Sequence, residues 1–461
     1  MVSLEEQLLL NSFNKVFLGA AGSGVASNYF IAEIVTGEAN QDKRNQTQVA
    51  LDSDNSIYST FQYTTGNDVW RLGAVKLNTA GDIEAQNSVT AWNSQTNDGF
   101  FSTIVDSNGL RVSGRDSSTS TAVATLSDSD LSLSSSFKTT LSGYTQNQMG
   151  FFDSSGNVFV SGYNGTTSVL AKYNSSGSQQ FARTYVMAAN SGSAFIRGAG
   201  GTVDSNGNVY LVGTYPYHGY YSLYLKLNSS GVFQTARSYY TSAKNSVINA
   251  VKVDSSGNIY VAGTYARGNG GTEMAFLAKY NSSHDVQWYV THTVANDPQA
   301  GAWHDIALDS SGNIYCAGVS NEDAGGGSFA GSYRSIGMFA KYNSSGALQW
   351  KRGVGPPSAN SSIGGTMASV AVDGEDNLVL TCSQQTGSNA STTYVLRVPN
   401  DGSLTGTYND IKYAATNLGN YSETPSFLTP SLSSSGTATL GTGSISGSGS
   451  SASFTNAVEL I

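Results

Sequence analysis

VDSSGNIYVAGTY, at residues 253–265, decides the fold because the chain writes it several times. DSSGNVFVSGY stands at 153–163, DSNGNVYLVGTY at 204–215 and DSSGNIYCAGV at 309–319. Aligned on the Asp, the pattern starts units at Asp52, Asp106, Asp153, Asp204, Asp254, Asp309 and Asp373, 47 to 64 residues apart. Each unit has a second half: VLAKYNSSG at 169–177, LYLKLNSSG at 223–231, FLAKYNSS at 276–283 and MFAKYNSSG at 338–346, with divergent copies at 69–81 and 394–402. A fixed period of this length marks one supersecondary unit in tandem.

Each unit holds four candidate strands. In the unit of Asp254 they read AVKVD, NIYVAGT, AFLAKY and DVQWYVT, rich in β-branched and aromatic residues with partial alternation. A four-stranded sheet alone leaves both faces in water. Stacked around an axis, such sheets cover one another, which predicts an all-β chain forming a single β-propeller of four-stranded blades. DSSG would join strands one and two, and NSSG strands three and four. Asp or Asn first and Gly last is type I turn chemistry, with the Gly at positive φ. The acids of DSDNS (52–56) and DGEDN (373–377) leave a structural calcium ion as the alternative, although calcium asks for ~6–8 oxygens. NSS also matches a glycosylation acceptor, but the turn reading is preferred. No cofactor is implied.

Weaker copies occupy both ends, LLLNSFNKVFLGA (8–20) with YFIAEIVTG (29–37), and PSLSSSGTATLGTG (430–443) with SFTNAVELI (453–461). The chain therefore divides into a degenerate segment 1–45, tandem blades over 46–410 and a Ser/Gly-rich degenerate segment 411–461. If the two ends share a blade and close the ring, the count is eight; seven or nine blades are the alternatives.

The 461 residues carry a net charge of −9 and are only 12% charged. An acidic, charge-poor chain lacks the clustered cations that nucleic acid requires. No stretch has the ~18–20 apolar residues of a membrane span. The opening MVSLEEQLLLNSFNK puts Glu5 and Glu6 where a signal peptide has positive charge, so no signal peptide is seen. Cys316 and Cys382, the only two cysteines, read as small buried hydrophobes rather than a disulfide.

The pattern resembles the bacterial β-propeller repeat called SBBP, D-S-S-G-N-[IV]-Y-V-A-G followed by F-L-A-K-Y-N-S-S-G-x-[LV]-Q-W. Residues 254–263 with 276–288, and 309–318 with 339–350, carry the likeness almost letter for letter. The resemblance implies a propeller scaffold of secreted, surface or phage structural proteins and says little of activity. With no signal peptide seen, the first expectation is a non-enzymatic structural protein of a phage virion, in the tail or on the particle surface. It would be present in several copies, with other virion proteins as partners and host surface glycan as a second class of contact. The alternatives are a secreted or cell-surface carbohydrate-binding propeller of a bacterium, and a propeller hydrolase or lyase.

The register puts every short turn on one face of the disc and every variable connection on the other. Those connections are rich in Tyr, Gly, Ser and Asn, the composition of recognition loops. The binding candidates are Tyr215, Tyr217, His218, Tyr220, Tyr265, Arg267, Trp303, Phe329, Tyr333 and Arg334. Lys76, Lys172, Lys226, Lys279 and Lys341 share one blade position, with Arg397 in the last. They read as a solvated position bonding neighbouring turns, ahead of a charged ring for an anion. The four histidines (His218, His284, His292 and His304) show no metal-ligand spacing, and no catalytic motif stands out. His284 takes the Gly place of its turn, and His304 with Asp305 opens a first strand without identifiable partners.

Overall fold

The computed structural model describes residues 17–18, 29–36, 47–65, 69–89, 100–117, 120–141, 146–163, 167–187, 197–216, 220–240, 245–266, 273–294, 301–322, 334–355, 365–387, 390–408, 411–414, 418–421, 426–428, 432–437, 441–443, 449–450 and 454–460. It is a β-propeller with seven four-stranded antiparallel blades. Blades 1 to 6 span 47–89, 100–140, 146–187, 197–240, 245–294 and 302–355. Blade 7 takes three strands from 365–398, and its fourth is Phe30–Thr36, paired from Phe30↔Arg397 to Ile34↔Thr393. No helix occurs among the described residues.

The count is seven, not the eight that shared ends would make. The ends meet in the sheet of blade 7 and build no eighth blade. Phe30–Thr36 completes blade 7, and the strands beyond residue 405 add to blades that already have four. Those later strands come from Ser/Gly-rich text, which cannot fill both faces of a further blade.

Seven buried apolar clusters lie in the seven gaps between successive blades. One of them joins blade 7 to blade 1 through Phe30, Ala32, Val379 and Val395 against Ile57, Phe61 and Val75. The NIYVAGT strand shows how the repeat does this. Ile259 and Val261 face the gap to blade 4, whereas Tyr260 and Ala262 face the gap to blade 6. Period-two alternation thus yields two buried faces. Each large apolar side chain so buried contributes about 1.5–3 kcal/mol.

The turns use the repeated polar residues locally. Asp254 Oδ1 accepts from the Ser256 and Asn258 amides, both at 2.9 Å. Its Oδ2 accepts from Asn258 Nδ2 at 2.8 Å and from the Tyr260 hydroxyl at 3.1 Å. Gly257 sits at φ 79°, where a Cβ would be strained. The carboxylates are therefore occupied by the turn's own donors. Among the described residues no group of three or more His, Cys, Asp or Glu is placed to hold a metal ion. His284 takes the Gly place with φ 68°, its Nδ1 lying 3.0 Å from the Tyr224 hydroxyl.

The shared lysines are structural as well. Lys279 Nζ lies 5.1 Å from the Tyr260 ring centroid, across the strand pair. Lys76, Lys226 and Lys341 repeat this over Tyr58, Tyr210 and Tyr315, and Lys172 over Phe159. Arg397, in the same place, is fully buried and reaches Asp373 and Glu375. Fourth strands also reach the next blade's second turn: Trp288 Nε1 donates to Ser344 O at 3.1 Å and Trp350 Nε1 to Asn400 O at 2.9 Å. The Gln-Trp of the repeat is thus an inter-blade staple. Cys316 and Cys382 are free and buried.

Candidate functional site

The first strand of each blade pairs along one edge with its second strand, the other edge being unpaired except for a single bridge from Asn245 of blade 5 to Tyr220 of blade 4. Seven such edges enclose a cavity of about 690 Å³ lined by residues of all seven first strands. Its wall combines unpaired backbone edges with Gln48, Ser102, Thr103, Asn249, Lys252, His304, Asp305 and Ser369, and apolar surface from Phe151. One lysine and one aspartate are the only formal charges among these lining residues, so the cavity is close to neutral.

Two of these side chains are aimed by a backbone device. The first strands of blades 5 and 6 each carry a β-bulge, between Ile248 and Ala250 and between Trp303 and Asp305. The extra residues are Asn249 and His304. A bulge re-aims a side chain that regular alternation would send into the neighbouring blade. Opposite each bulge stands the Gly of the VAG repeat: a Cβ on Gly263 would come 1.9 Å from Val247 O, and one on Gly318 would come 1.9 Å from Ala302 O. The repeated Gly and the channel-facing residue are therefore one structural unit. Asn249 Nδ2 donates to Trp303 O at 2.8 Å, linking the two bulges.

His304 is partly buried and its Nδ1 is shielded with no hydrogen-bond partner. Burial pushes its pKa down to about 4, so the ring is neutral near pH 7 and offers one donor and one acceptor. Asp305 is fixed: Oδ2 accepts from Ser369 Oγ at 2.6 Å and from the Val370 amide at 3.1 Å, and Oδ1 from the Ile306 amide at 2.8 Å. This bond pattern ties blade 6 to blade 7 at the channel wall. Asn249 and His304 lie five residues before the turn Asp of their blades, about 16 Å along a strand, toward the face of the variable connections. Lys252, two residues from Asp254, stands near the short-turn end.

Of the residues expected from sequence, Tyr217, His218, Arg267, Phe329 and Tyr333 lie outside the described residues. Tyr215, Tyr220, Tyr265 and Arg334 stand at the variable-face ends of second and third strands, with Tyr215 opposite Tyr221 and Arg334 opposite Glu322. Trp303 corrects the reading. Its strand begins at Ala302, and the side chain is fully buried between blades 5 and 6, 6.4 Å from the His292 ring. It belongs to the core, not to a loop. Sequence reading missed Asn249, Asp305 as a fixed group, and Ser369. The signal that pointed to the first was the Gly of VAG.

No family model matches the chain. No curated protein matches it by sequence. Among solved structures it is similar to the NanB sialidase from Streptococcus pneumoniae, in a mutant form, at 12% identity and a TM-score of 0.39, covering 87% of this chain and 73% of that one. It is similar to a subtype N10 neuraminidase-like protein of A/little yellow-shouldered bat/Guatemala at 9% identity and 0.38, covering 80% and 98%. The endo-arabinase from Bacteroides thetaiotaomicron follows at 12% and 0.28, covering 56% and 94%. Likeness this slight argues no activity for the chain. The expectation from sequence that the chain is not an enzyme is withdrawn, since proteins named as a sialidase and an endo-arabinase are among the solved structures it is similar to.

Proposed function

We propose that this protein is a carbohydrate-binding propeller that takes a neutral glycan at the variable-face mouth of its central channel. The observation that carries the reading is the bulge pair, which turns Asn249 and a neutral His304 toward a channel of near-zero charge walled by backbone donors and acceptors. Sugar hydroxyls need this kind of surface: many neutral hydrogen-bonding groups, some apolar area, and little net charge. The strand ends that carry Tyr215, Tyr220, Tyr265 and Arg334 lie on the same face as the mouth. A surface-exposed setting suits it, on a bacterial cell or, on the strength of the sequence resemblance alone, on a virion.

Hydrolysis of the bound glycan is the second reading, favoured by the adjacent His304 and Asp305 in the channel. Two-carboxylate glycoside cleavage needs a pair about 5–10 Å apart. Among the described lining residues Asp305 is the single carboxylate, and its oxygens are already engaged. Binding is therefore the reading the lining supports better.

A glycan array tests both. Wild-type protein is expected to retain a defined set of neutral glycans, and H304A and N249A to lose at least about tenfold in affinity, the value of one lost buried hydrogen bond, while remaining folded at the assay temperature. No retained glycan, or equal retention by both variants, would overturn the proposal. Release of reducing sugar from an array hit, lost in D305N, would establish the second reading instead.

A further inference from the structure

The chain circles its axis twice, in opposite directions. After blade 7 it returns past the outer edges of the blades, adding one strand to each. Ile411–Ala414 pairs with the fourth strand of blade 6, Leu418–Tyr421 with blade 5 and Ser426–Leu428 with blade 4. Leu432–Thr437 pairs with blade 3, Gly441–Gly443 with blade 2 and Gly449–Ser450 with blade 1. Phe454–Leu460 ends the circuit on Phe30–Thr36 of blade 7. All seven pairings are antiparallel.

We propose that the outer edges of blades 5, 4, 3, 2, 1 and 7 form a strand-acceptor track and that the same segment, residues 418–460, of a second copy occupies it when chains assemble. Three observations carry this. Six of the pairings are short, three to five residue pairs at blades 2 to 6 and two at blade 1, so the belt can peel from these blades one station at a time; the seven pairs at blade 7 open last. At blades 1 to 3 they are backbone pairings made by the Ser, Gly and Thr-rich LSSSGT, GTG and GS, and an identical segment of another copy makes the same pairings at every station. At blades 1 to 6 they meet the fourth strands at the variable-face end, for example Ser88 and Val89 of Ile83–Val89 and Lys138 to Thr140 of Leu133–Thr140, whereas at blade 7 the whole of Phe30–Thr36 is paired. Where the belt leaves, a row of unpaired donors and acceptors opens, and such an edge templates pairing with another chain. Exchange of an identical element between protomers is a low-cost route to assembly. The uncovered halves carry exposed Glu84, Gln180, Gln234, Gln287 and Gln349, polar positions that discourage whole-edge stacking and leave the belt strip as the place of pairing.

The register makes the test direct. Thr139 of blade 2 stands opposite Thr442 of the belt, and the native cysteines are buried. The full-length double variant T139C/T442C is expected to oxidise within one chain at low concentration. Full-length T139C and T442C, mixed, warmed and cooled together, are expected to form an interchain disulfide that rises with protein concentration and is absent from either variant alone. Failure of the double variant to crosslink would show that the track is not filled by this segment. An intrachain crosslink in the double variant with no mixed dimer at any concentration would fix the belt to its own chain. Either result overturns the proposal. Glycan binding by the array does not depend on the outcome, so the two proposals fail separately.

Discussion

One blade position offers a controlled comparison between a buried and a half-buried cation. In blade 5 the position is Lys279, lying over the Tyr260 ring at 5.1 Å. In blade 7 it is Arg397, whose side chain is 0% exposed, with Nη2 2.6 Å and Nε 2.8 Å from Asp373 Oδ2 and Nη2 3.0 Å from Glu375 Oε2. Asp373 is also 0% exposed at its side chain. Lys279→Ala removes a cation–π contact of about 0.5–1 kcal/mol and leaves its neighbours hydrated. Arg397→Ala leaves the Asp373 carboxylate buried without its ion partner, which costs about 3–5 kcal/mol. Arg397→Lys keeps the charge but loses the planar fork that meets two carboxylates at once, and belongs between the two. Urea titration of the three variants at pH 7 reads this directly, with slopes compared to confirm an unchanged unfolding transition. The expected order of midpoints is K279A above R397K above R397A. Equal losses for K279A and R397A would refute the claim that burial, not the presence of a cation, sets the worth of this position.

Other outcomes follow from the same geometry. Gly263→Ala should destabilise by more than the ~1 kcal/mol of an ordinary strand substitution, because the new Cβ meets Val247 O at 1.9 Å; thermal melts against Gly207→Ala, where the nearest atom is a side-chain Cβ at 3.2 Å, separate overlap from positive-φ strain. Burial pushes the Cys382 thiol up to about 12 and that of Cys316 well above its ordinary value, so neither should react with a thiol reagent at pH 8 until denaturant is added. Acid should weaken the fold in two stages. Burial lowers His304 and His284 to about 4, so the unfolded chain takes up protons first and stability falls between about pH 6.5 and 4, by up to about 3 kcal/mol for His304. Below about pH 4 a second loss follows at Asp254 and Asp309. Burial opposes their ionisation, but bonds from Asn258, Tyr260 and the Ser256 amide, and their counterparts at Asp309, outweigh it and hold both carboxyls below the ordinary range. Melting temperature against pH checks both stages; a flat profile from 6.5 to 4 would remove the histidines from the account.

What was legible in the sequence is what is local. The DSSG and NSSG turns, the four strands and the two-faced burial of NIYVAGT each depend on a dozen residues, and the repetition displays them several times over. The site of His284 in the Gly place of its turn was read for the same reason. Blade number was not local. It depends on where Phe30–Thr36 pairs, more than 350 residues away from Arg397 by number, and nothing in FIAEIVT names its partner. Trp303 was misplaced because a two-residue difference in where a strand begins moves a side chain from loop to core. The channel residues hid behind the repeat itself: Asn249 and His304 occupy an extra position that regular alternation does not contain, and the only trace is a glycine on the strand opposite. The belt was not read because its strands at blades 1 to 3 are Ser/Gly-rich text that pairs through its backbone, and FTNAVEL at 454–460, though seen as a weaker copy, does not name its partner.

The claim that most needs a direct measurement is that specificity resides at the variable-face mouth of the channel. A crystal structure of the protein soaked with its best array glycan tests it. The expected result is sugar density within hydrogen-bond distance of Asn249 and His304. Density on the short-turn face or on the outer edges of the blades, with the channel mouth holding only water, would contradict it.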